Sequence, residues 1–463
     1  MHPKTQQILE VFEEINKIPR LSKHEEEISL WLQEWGRSRD FEVKADSLNN
    51  VLIKAPATSG YENSPTLVLQ GHMDMVCEKC KDSKHDFSRD PVKCICDGNW
   101  MRGDGTSIGA DNGIALAVGM VLADAGQKGE IGHPPLELLF TVDEETGLTG
   151  AQGLEVGFFE GKLLLNLDSE DEGVFVVGCA GGQNSLITLP VEWELFDCEK
   201  ESLFRFFRLS VEGLEGGHSG VEIDKQRANG IQLISLALVG LKQKIGAENI
   251  RLVLLNGGSV HNAIPNTGEA FFALQIEKIE KAEEAVAGIR KAFQVEYAKT
   301  DPDLVLEFKE VGRKIAFETA GDEITRKEVS CRVFSSGTEE RLIGLLLGLP
   351  HGVYRMSDTI PGLVETSNNL ATVRTKENEI MIISSQRSSI TLKLAEITGK
   401  VEAVAKLAGA RIEHDSGYPA WEPDLKSGLL LKCRQVYNET FGKEAEIKVV
   451  HAGLECGIIG SVY

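Results

Sequence analysis

Basic residues are scarce in this chain: 49 lysines and arginines stand against 71 aspartates and glutamates, a formal charge of −22. A surface of that sign repels phosphate backbones and anionic lipid, which argues against nucleic-acid and membrane partners. Long apolar runs are lacking too, none reaching the roughly 18 residues of a membrane-spanning helix. The start, Met1-His2-Pro3-Lys4-Thr5-Gln6-Gln7, has neither the basic segment nor the apolar stretch of a secretory leader. Cysteine is sparse, odd in number at nine, and mostly scattered singly, as at Cys179 and Cys433; this points to a reducing, cytoplasmic setting. The exception, Cys77-x-x-Cys80 with Cys94-x-Cys96, has the wrong second spacing for a zinc ribbon. What is present is an ordinary globular composition, 42% hydrophobic and 26% charged over 463 residues, enough chain for two or three domains.

Apolar spacing marks helices over 4–18 and 23–36, and Val51-Leu52-Ile53 follows the turn-like Ser47-Leu48-Asn49-Asn50 as a strand. A pattern then recurs in which an apolar strand ends in polar residues. Thr66 to Gln70 ends in Gly71-His72-Met73-Asp74, Leu136 to Val142 in Asp143-Glu144-Glu145, Lys162 to Leu167 in Asp168, and Ile447 to Val450 in His451. Ile114 to Ala125 reads as a helix opened by Asp111 and Asn112. Apolar strands alternating with helices predict an α/β domain with a doubly wound, mostly parallel sheet.

The middle of the chain has a different order: strand 205–211, helix 228–245, strands 251–255 and 269–274, helix 278–296. The order repeats as strand 304–311, helix 337–347, strands 362–373 and 379–385, helix 389–408, without residue-level identity. This predicts an inserted α+β domain over 187–407 made of two related halves, within a discontinuous first domain of 1–186 and 408–463.

Ligands of open α/β sheets bind outside the carboxyl ends of the strands, where His72, Asp111, Glu145, Asp168 and His451 would converge. Two histidines and three carboxylates suit Zn²⁺, Mn²⁺ or Co²⁺ better than Mg²⁺ or Ca²⁺. If one carboxylate bridges, each of two metals has three protein ligands and an open position for water, as hydrolysis needs. Each residue alone has a plainer reading. Glu144-Glu145 would be a solvated loop, Asp111-Asn112 a helix N-cap, and Asp168 one charge of an exposed turn. Gly103-x-Gly105-x-x-x-Gly109 has the wrong spacing for a dinucleotide loop and follows a poor strand.

Five segments, Gly71-His72-Met73-Asp74, Gly109-Ala110-Asp111-Asn112-Gly113, Asp143-Glu144-Glu145-Thr146-Gly147, Leu167-Asp168-Ser169-Glu170 and Gly216-Gly217-His218-Ser219-Gly220, resemble the zinc-dependent dipeptidase, aminoacylase and carboxypeptidase G family of cocatalytic metallopeptidases. The resemblance runs from the N-terminal helix to His451. It implies two divalent ions, zinc with cobalt or manganese as alternatives. Asp111 would bridge them, with His72 and Asp168 on one ion and Glu145 and His451 on the other. It further implies that Asp74 orients His72, that Glu144 is the general base, and that the 187–407 insertion is a lid whose His218 stabilises the oxyanion. Asn262 would contribute to substrate binding and Arg387 would clamp a free carboxylate. Aspartate at position 168 favours dipeptides with free termini over the family's alternatives, N-acyl amino-acid deacylation or tripeptide cleavage. A lid of this length lets a monomer supply both His218 and Arg387 without excluding a homodimer.

Overall fold

The computed structural model describes residues 2–195, 203–312, 314–318, 324–328 and 332–463. The chain forms two compact units: one runs to Val177 and adds Pro423–Lys448 and Leu454–Tyr463, the other comprises Gly178–Glu422 and Val449–Gly453. The sequence-based boundaries at 186/187 and 407/408 are displaced. Gly181–Pro190 pairs along its length with Glu379–Ser388, and Arg411–His414 pairs with it in turn, so backbone hydrogen bonding draws both flanking strands into the second unit.

The first unit holds a five-stranded sheet in the order Glu42–Ala45, Val51–Ala55, Leu136–Thr141, Leu67–His72, Leu163–Asn166. Its α/β character is as expected, but its pairing is mixed. Leu67–His72 runs parallel to both neighbours. The other two pairings are antiparallel; in one of them Glu42–Ala45 returns directly into Val51–Ala55 through a turn in which the Asp46 carboxylate accepts from the amides of Leu48 and Asn50, each at 2.9 Å. Phe12, Ile15, Leu116, Met120, Leu138 and Phe140 pack as one core beneath the strands. The three parallel strands therefore end side by side, at His72, just before Asp143-Glu144-Glu145, and just before Asp168. The helix Ala110–Gln127 follows Gly109, whose φ of 67° is left-handed, and Asp111 and Asn112 depart from helical geometry, the peptide between them being cis.

The second unit is built on a nine-stranded antiparallel sheet. Eight strands lie in the order Val305–Val311, Phe204–Glu212, Gly268–Gln275, Ile250–Gly257, Val364–Thr375, Glu379–Ser388, Gly181–Pro190, Arg411–His414, and Gly352–Met356 adds to Val364–Thr375. Read outward from the centre, the halves match: helix Gly230–Ile245 corresponds to Ser336–Gly348, and Ile279–Glu296 to Thr391–Leu407. The two related halves are present, but the expected second half began with the wrong strand. Val305–Val311 closes the first half by pairing with Phe204–Glu212, and the counterpart of Phe204–Glu212 is Gly181–Pro190, more than a hundred residues before its partner helix. The first half is thus inserted within the second. Their seam is narrow, with Gly257 opposite Val373 and Leu255 N–H donating to Thr375 Oγ1 at 3.0 Å. Among the described residues no helix is long and apolar enough to cross a membrane.

Candidate active site

The first unit brings His72, Asp111 and Glu145 together, with one ligand atom of each within 4.8 Å of the others. Asp168 joins them, its Oδ1 3.4 Å from His72 Nε2, which also lies 2.9 Å from Asp111 Oδ1. The other imidazole nitrogen, Nδ1, is 3.2 Å from Asp74 Oδ1. Asp74 is fully buried, and the same carboxylate accepts from Glu144 N–H at 3.0 Å, Glu145 N–H at 3.2 Å and Ser22 Oγ at 2.8 Å. One side chain therefore orients the imidazole and pins the backbone under both glutamates.

Burial alone would drive the His72 pKa down, but hydrogen bonds to Asp111, Asp168 and Asp74 outweigh it and raise it. Burial pushes the Glu144 carboxyl up to about 8, the His72 charge only partly opposing it. Glu145 rises to about 6 through burial and the Asp111 charge. Asp111 is lowered by its hydrogen bond with His72, whereas burial raises Asp168. A cluster of carboxylates around one imidazole calls for a cation. Glu145 Oε1 is buried with no hydrogen-bond partner, so the donor set fits a divalent metal ion and leaves an oxygen for it.

Asn112 is not the simple helix cap that its position suggests. Its Oδ1 accepts from His72 N–H at 3.2 Å, and its Nδ2 donates to Leu167 O at 3.1 Å and Asp168 Oδ1 at 2.6 Å, tying two strand ends together. Glu25, whose pKa is raised by burial, accepts from Asp143 N–H at 2.9 Å and holds that residue at a left-handed φ of 50°. Glu455 is buried, its carboxyl pushed up to about 7 by burial, and it accepts from Gln70 Nε2 at 2.6 Å. Glu25 and Glu455 did not stand out in sequence, and Asn112 did so only as a helix cap. Among the described residues the cysteines form no metal site: the metal-competent group there is His72, Asp111 and Glu145, and Cys94 Sγ instead accepts from Asn16 Nδ2 at 3.2 Å.

His218, Asn262, Arg387 and His451 lie in the second unit. His218 Nδ1 accepts from the amides of Gly220 and Val221, both at 3.2 Å, so the proton of the neutral ring sits on Nε2. Burial and the Arg387 charge hold its pKa down. His451, lowered to about 3 by burial and then by Arg387 and His218, is a neutral imidazole. Its Nε2 meets Ser367 Oγ at 2.7 Å and its Nδ1 is buried without a partner. Arg387 is 7% exposed, donates to Tyr418 Oη at 2.5 Å and keeps a buried, unpartnered Nε. Tyr418 was not singled out in sequence. Asn262 is exposed on a loop tied down by neighbours: Ser219 N–H donates to its carbonyl at 2.8 Å, and Asn369 Nδ2 donates to the carbonyls of His261 at 3.2 Å and Ala263 at 2.8 Å.

Known proteins share this arrangement of segments. The model of peptidase family M20/M25/M40 matches residues 68–461. The cytosol non-specific dipeptidase of Escherichia coli (strain K12) is 35% identical over 459 residues, 99% of this chain and 89% of that protein. The crystal structure of aminoacylhistidine dipeptidase from Vibrio alginolyticus superposes with a TM-score of 0.83 at 38% identity, covering 98% of this chain and 88% of that one. Aminopeptidase PepT from Bacillus cereus shares the fold at 15% identity, with a TM-score of 0.51 and 99% and 87% of the two chains covered. With a family match from the first site strand to the C-terminal helix, the chain belongs to peptidase family M20/M25/M40.

Proposed function

We propose that this protein hydrolyses dipeptides whose amino and carboxyl ends are both free, at a centre of two divalent metal ions, zinc by preference. The observation that carries the reading is Asp74, whose carboxylate is bonded at once to the His72 imidazole and to the backbone of Glu144 and Glu145. The names and full-length similarity of the Escherichia coli and Vibrio dipeptidases support it. His72, Asp111, Glu145 and Asp168 would hold metal, with His451 as the further ligand, its orphaned Nδ1 and neutral ring suiting that task. When bound, the ions supply Lewis acidity toward the scissile carbonyl and make water easier to deprotonate.

The rest of the chemistry belongs to the chain. Glu144, next to a ligand and with a carboxyl pushed up to about 8, takes the proton of the attacking water and returns it to the leaving amine. His218, with its proton on Nε2, donates to the oxygen that gains charge as the carbonyl becomes tetrahedral. Arg387 clamps the substrate's carboxylate with its planar fork, Tyr418 holding one arm of it, and Asn262 adds a polar contact to the substrate.

The test is release of amino acids from a free dipeptide, its N-acetyl and C-amide forms and a tripeptide, each repeated after chelation and with Glu144→Gln. Cleavage of the free dipeptide alone, lost after chelation and in the variant, is the expected result. Cleavage of the N-acetyl form would reassign the chain to deacylation, preference for the tripeptide would make it a tripeptidase, and cleavage that survives chelation would overturn the metal mechanism.

A further inference from the structure

We propose that Arg20 is a positioning residue of the metal centre, a clamp that locks the segment carrying His72 and Asp74 to the segment that delivers Asp111. The proposal rests on the reading of His72 and Asp111 as metal ligands. Arg20 is 2% exposed and touches neither carboxylate directly. Its Nη1 donates to the carbonyls of Met73 at 3.1 Å and Asp74 at 3.0 Å, immediately after His72. Its Nη2 donates to the carbonyl of Gly109, two residues before Asp111, and to Asn16 Oδ1 at 3.3 Å. A planar fork with fixed donor directions can hold these acceptors in one arrangement, whereas the point charge of a lysine cannot.

The glycines of the Asp111 segment bear this out. A Cβ on Gly109 would stand 2.2 Å from Arg20 Nη2, and one on Gly113 would stand 2.9 Å from Nη2 and 2.9 Å from Phe12 Cε2. Gly113 carries no left-handed φ, so nothing in its own backbone calls for glycine; the space its missing side chain leaves is filled by the guanidinium and Phe12. The buried cation also lies among Asp74, Asp111 and Glu145 and offsets part of their charge.

The experiment compares the full-length protein with Arg20→Lys and with Gly113→Ala, which crowds the guanidinium without removing its charge. Co²⁺ affinity is read by competition with a chromophoric chelator, ligand geometry by the visible spectrum of the Co²⁺ protein, and packing by thermal unfolding in EDTA. Arg20→Lys is expected to weaken Co²⁺ binding by about 10- to 100-fold, to change the spectrum and to lower kcat more than it raises KM. Gly113→Ala shifts each in the same direction by less. Wild-type affinity and spectrum in the folded variants, with a lower melting temperature in EDTA as the sole change, would overturn the clamp and leave Arg20 a packing residue. Should Arg20→Lys not fold, Gly113→Ala decides by the same readings. Co²⁺ binding that His72→Ala leaves unaltered would instead overturn the metal reading itself.

Discussion

In the first half of the nine-stranded sheet the strand beside the seam, Ile250–Gly257, buries Ile250, Leu252, Val253, Leu254 and Leu255. Its counterpart across the seam, Val364–Thr375, buries Glu365, Thr366, Ser367, Asn368 and Asn369. The next strands repeat the contrast: Ala270, Phe272, Ala273 and Leu274 on one side, Ser384, Ser385, Gln386, Arg387 and Ser388 on the other. The order of elements is the same, so folding does not demand the polar interior. Burying such groups is costly unless each finds a partner, and here most do, with Asn369 Oδ1 and Arg387 Nε as exceptions. Gln386 Nε2 donates to Asn368 Oδ1 at 2.7 Å, Ser185 Oγ donates to Gln386 Oε1 at 2.7 Å, and Asn368 Nδ2 donates to Pro350 O at 2.6 Å. The same strands carry Ser367, bonded to His451, and Arg387, bonded to Tyr418. Both halves feed the apolar core, the second through Leu370, Val373, Ile380 and Ile382, but the second alone adds this polar stretch, which holds side chains in fixed orientations for the substrate end of the proposed reaction.

The largest effect that would break this contrast is expected in the apolar half. Phe272 is fully buried, with Phe207 and Phe308 stacked at centroid distances of 6.5 and 6.2 Å. Phe272→Ala should cost about 3–5 kcal/mol of stability in denaturant titration while leaving activity per folded molecule unchanged.

At the seam, His351 Nδ1 meets Asn229 Nδ2 of the first half at 3.2 Å and accepts from Leu370 N–H of the second at 3.3 Å. Burial pushes this imidazole down to about 4 from its ordinary 6.5. Between those values the unfolded chain binds a proton that the folded chain refuses. Stability is therefore full above pH 6.5 and declines as pH falls toward 4, by at most about 3 kcal/mol. His351→Gln should flatten that part of a stability-against-pH curve.

In the polar half, Arg387→Met is expected to lower kcat/KM for a free dipeptide by about 10- to 100-fold, as for loss of a charged hydrogen bond, with little change in unfolding midpoint. A C-amidated substrate should lose nothing further, which separates carboxylate recognition from general damage. Smallest of all, Ser367→Ala removes the 2.7 Å partner of His451 and should cost about 1 kcal/mol of stability. A stability loss at Arg387 as large as that at Phe272 would erase the distinction between the halves.

Much of this was legible in sequence. The strand ends bearing His72, Glu144-Glu145 and Asp168 lie where apolar runs stop, because a buried strand needs a continuous apolar stretch and the site needs polar groups at once after it. The helices of the duplicated unit and most of its strands were also readable from their periodicity, but Gly181–Pro190, Gly352–Met356 and Arg411–His414 were not read as strands. The assignment of Val305–Val311 to the second half failed because its alternation fits either edge of the sheet, and only pairing with Phe204–Glu212 decides between them. Arg20 was invisible because a single arginine after a proline carries no pattern. The signal that was available lay elsewhere, in two glycines flanking Asp111 whose missing side chains make room for it.

The amino-acid order by itself pointed to His72, Asp111 and Glu145 as a metal-suited group, and determined the α/β class of the first unit and the existence of two similar halves, since these follow from local periodicity and from what stands at the end of each apolar run. Only the tertiary structure decided that Gly181–Pro190 belongs with elements beyond residue 330, that Asp74 serves His72, Glu144 and Glu145 together, and that Arg20 joins the segment after His72 to the segment before Asp111. Each of these depends on hydrogen bonds between groups far apart in the chain. Such partners leave no periodic trace in sequence and are chosen only when packing brings the backbones within reach.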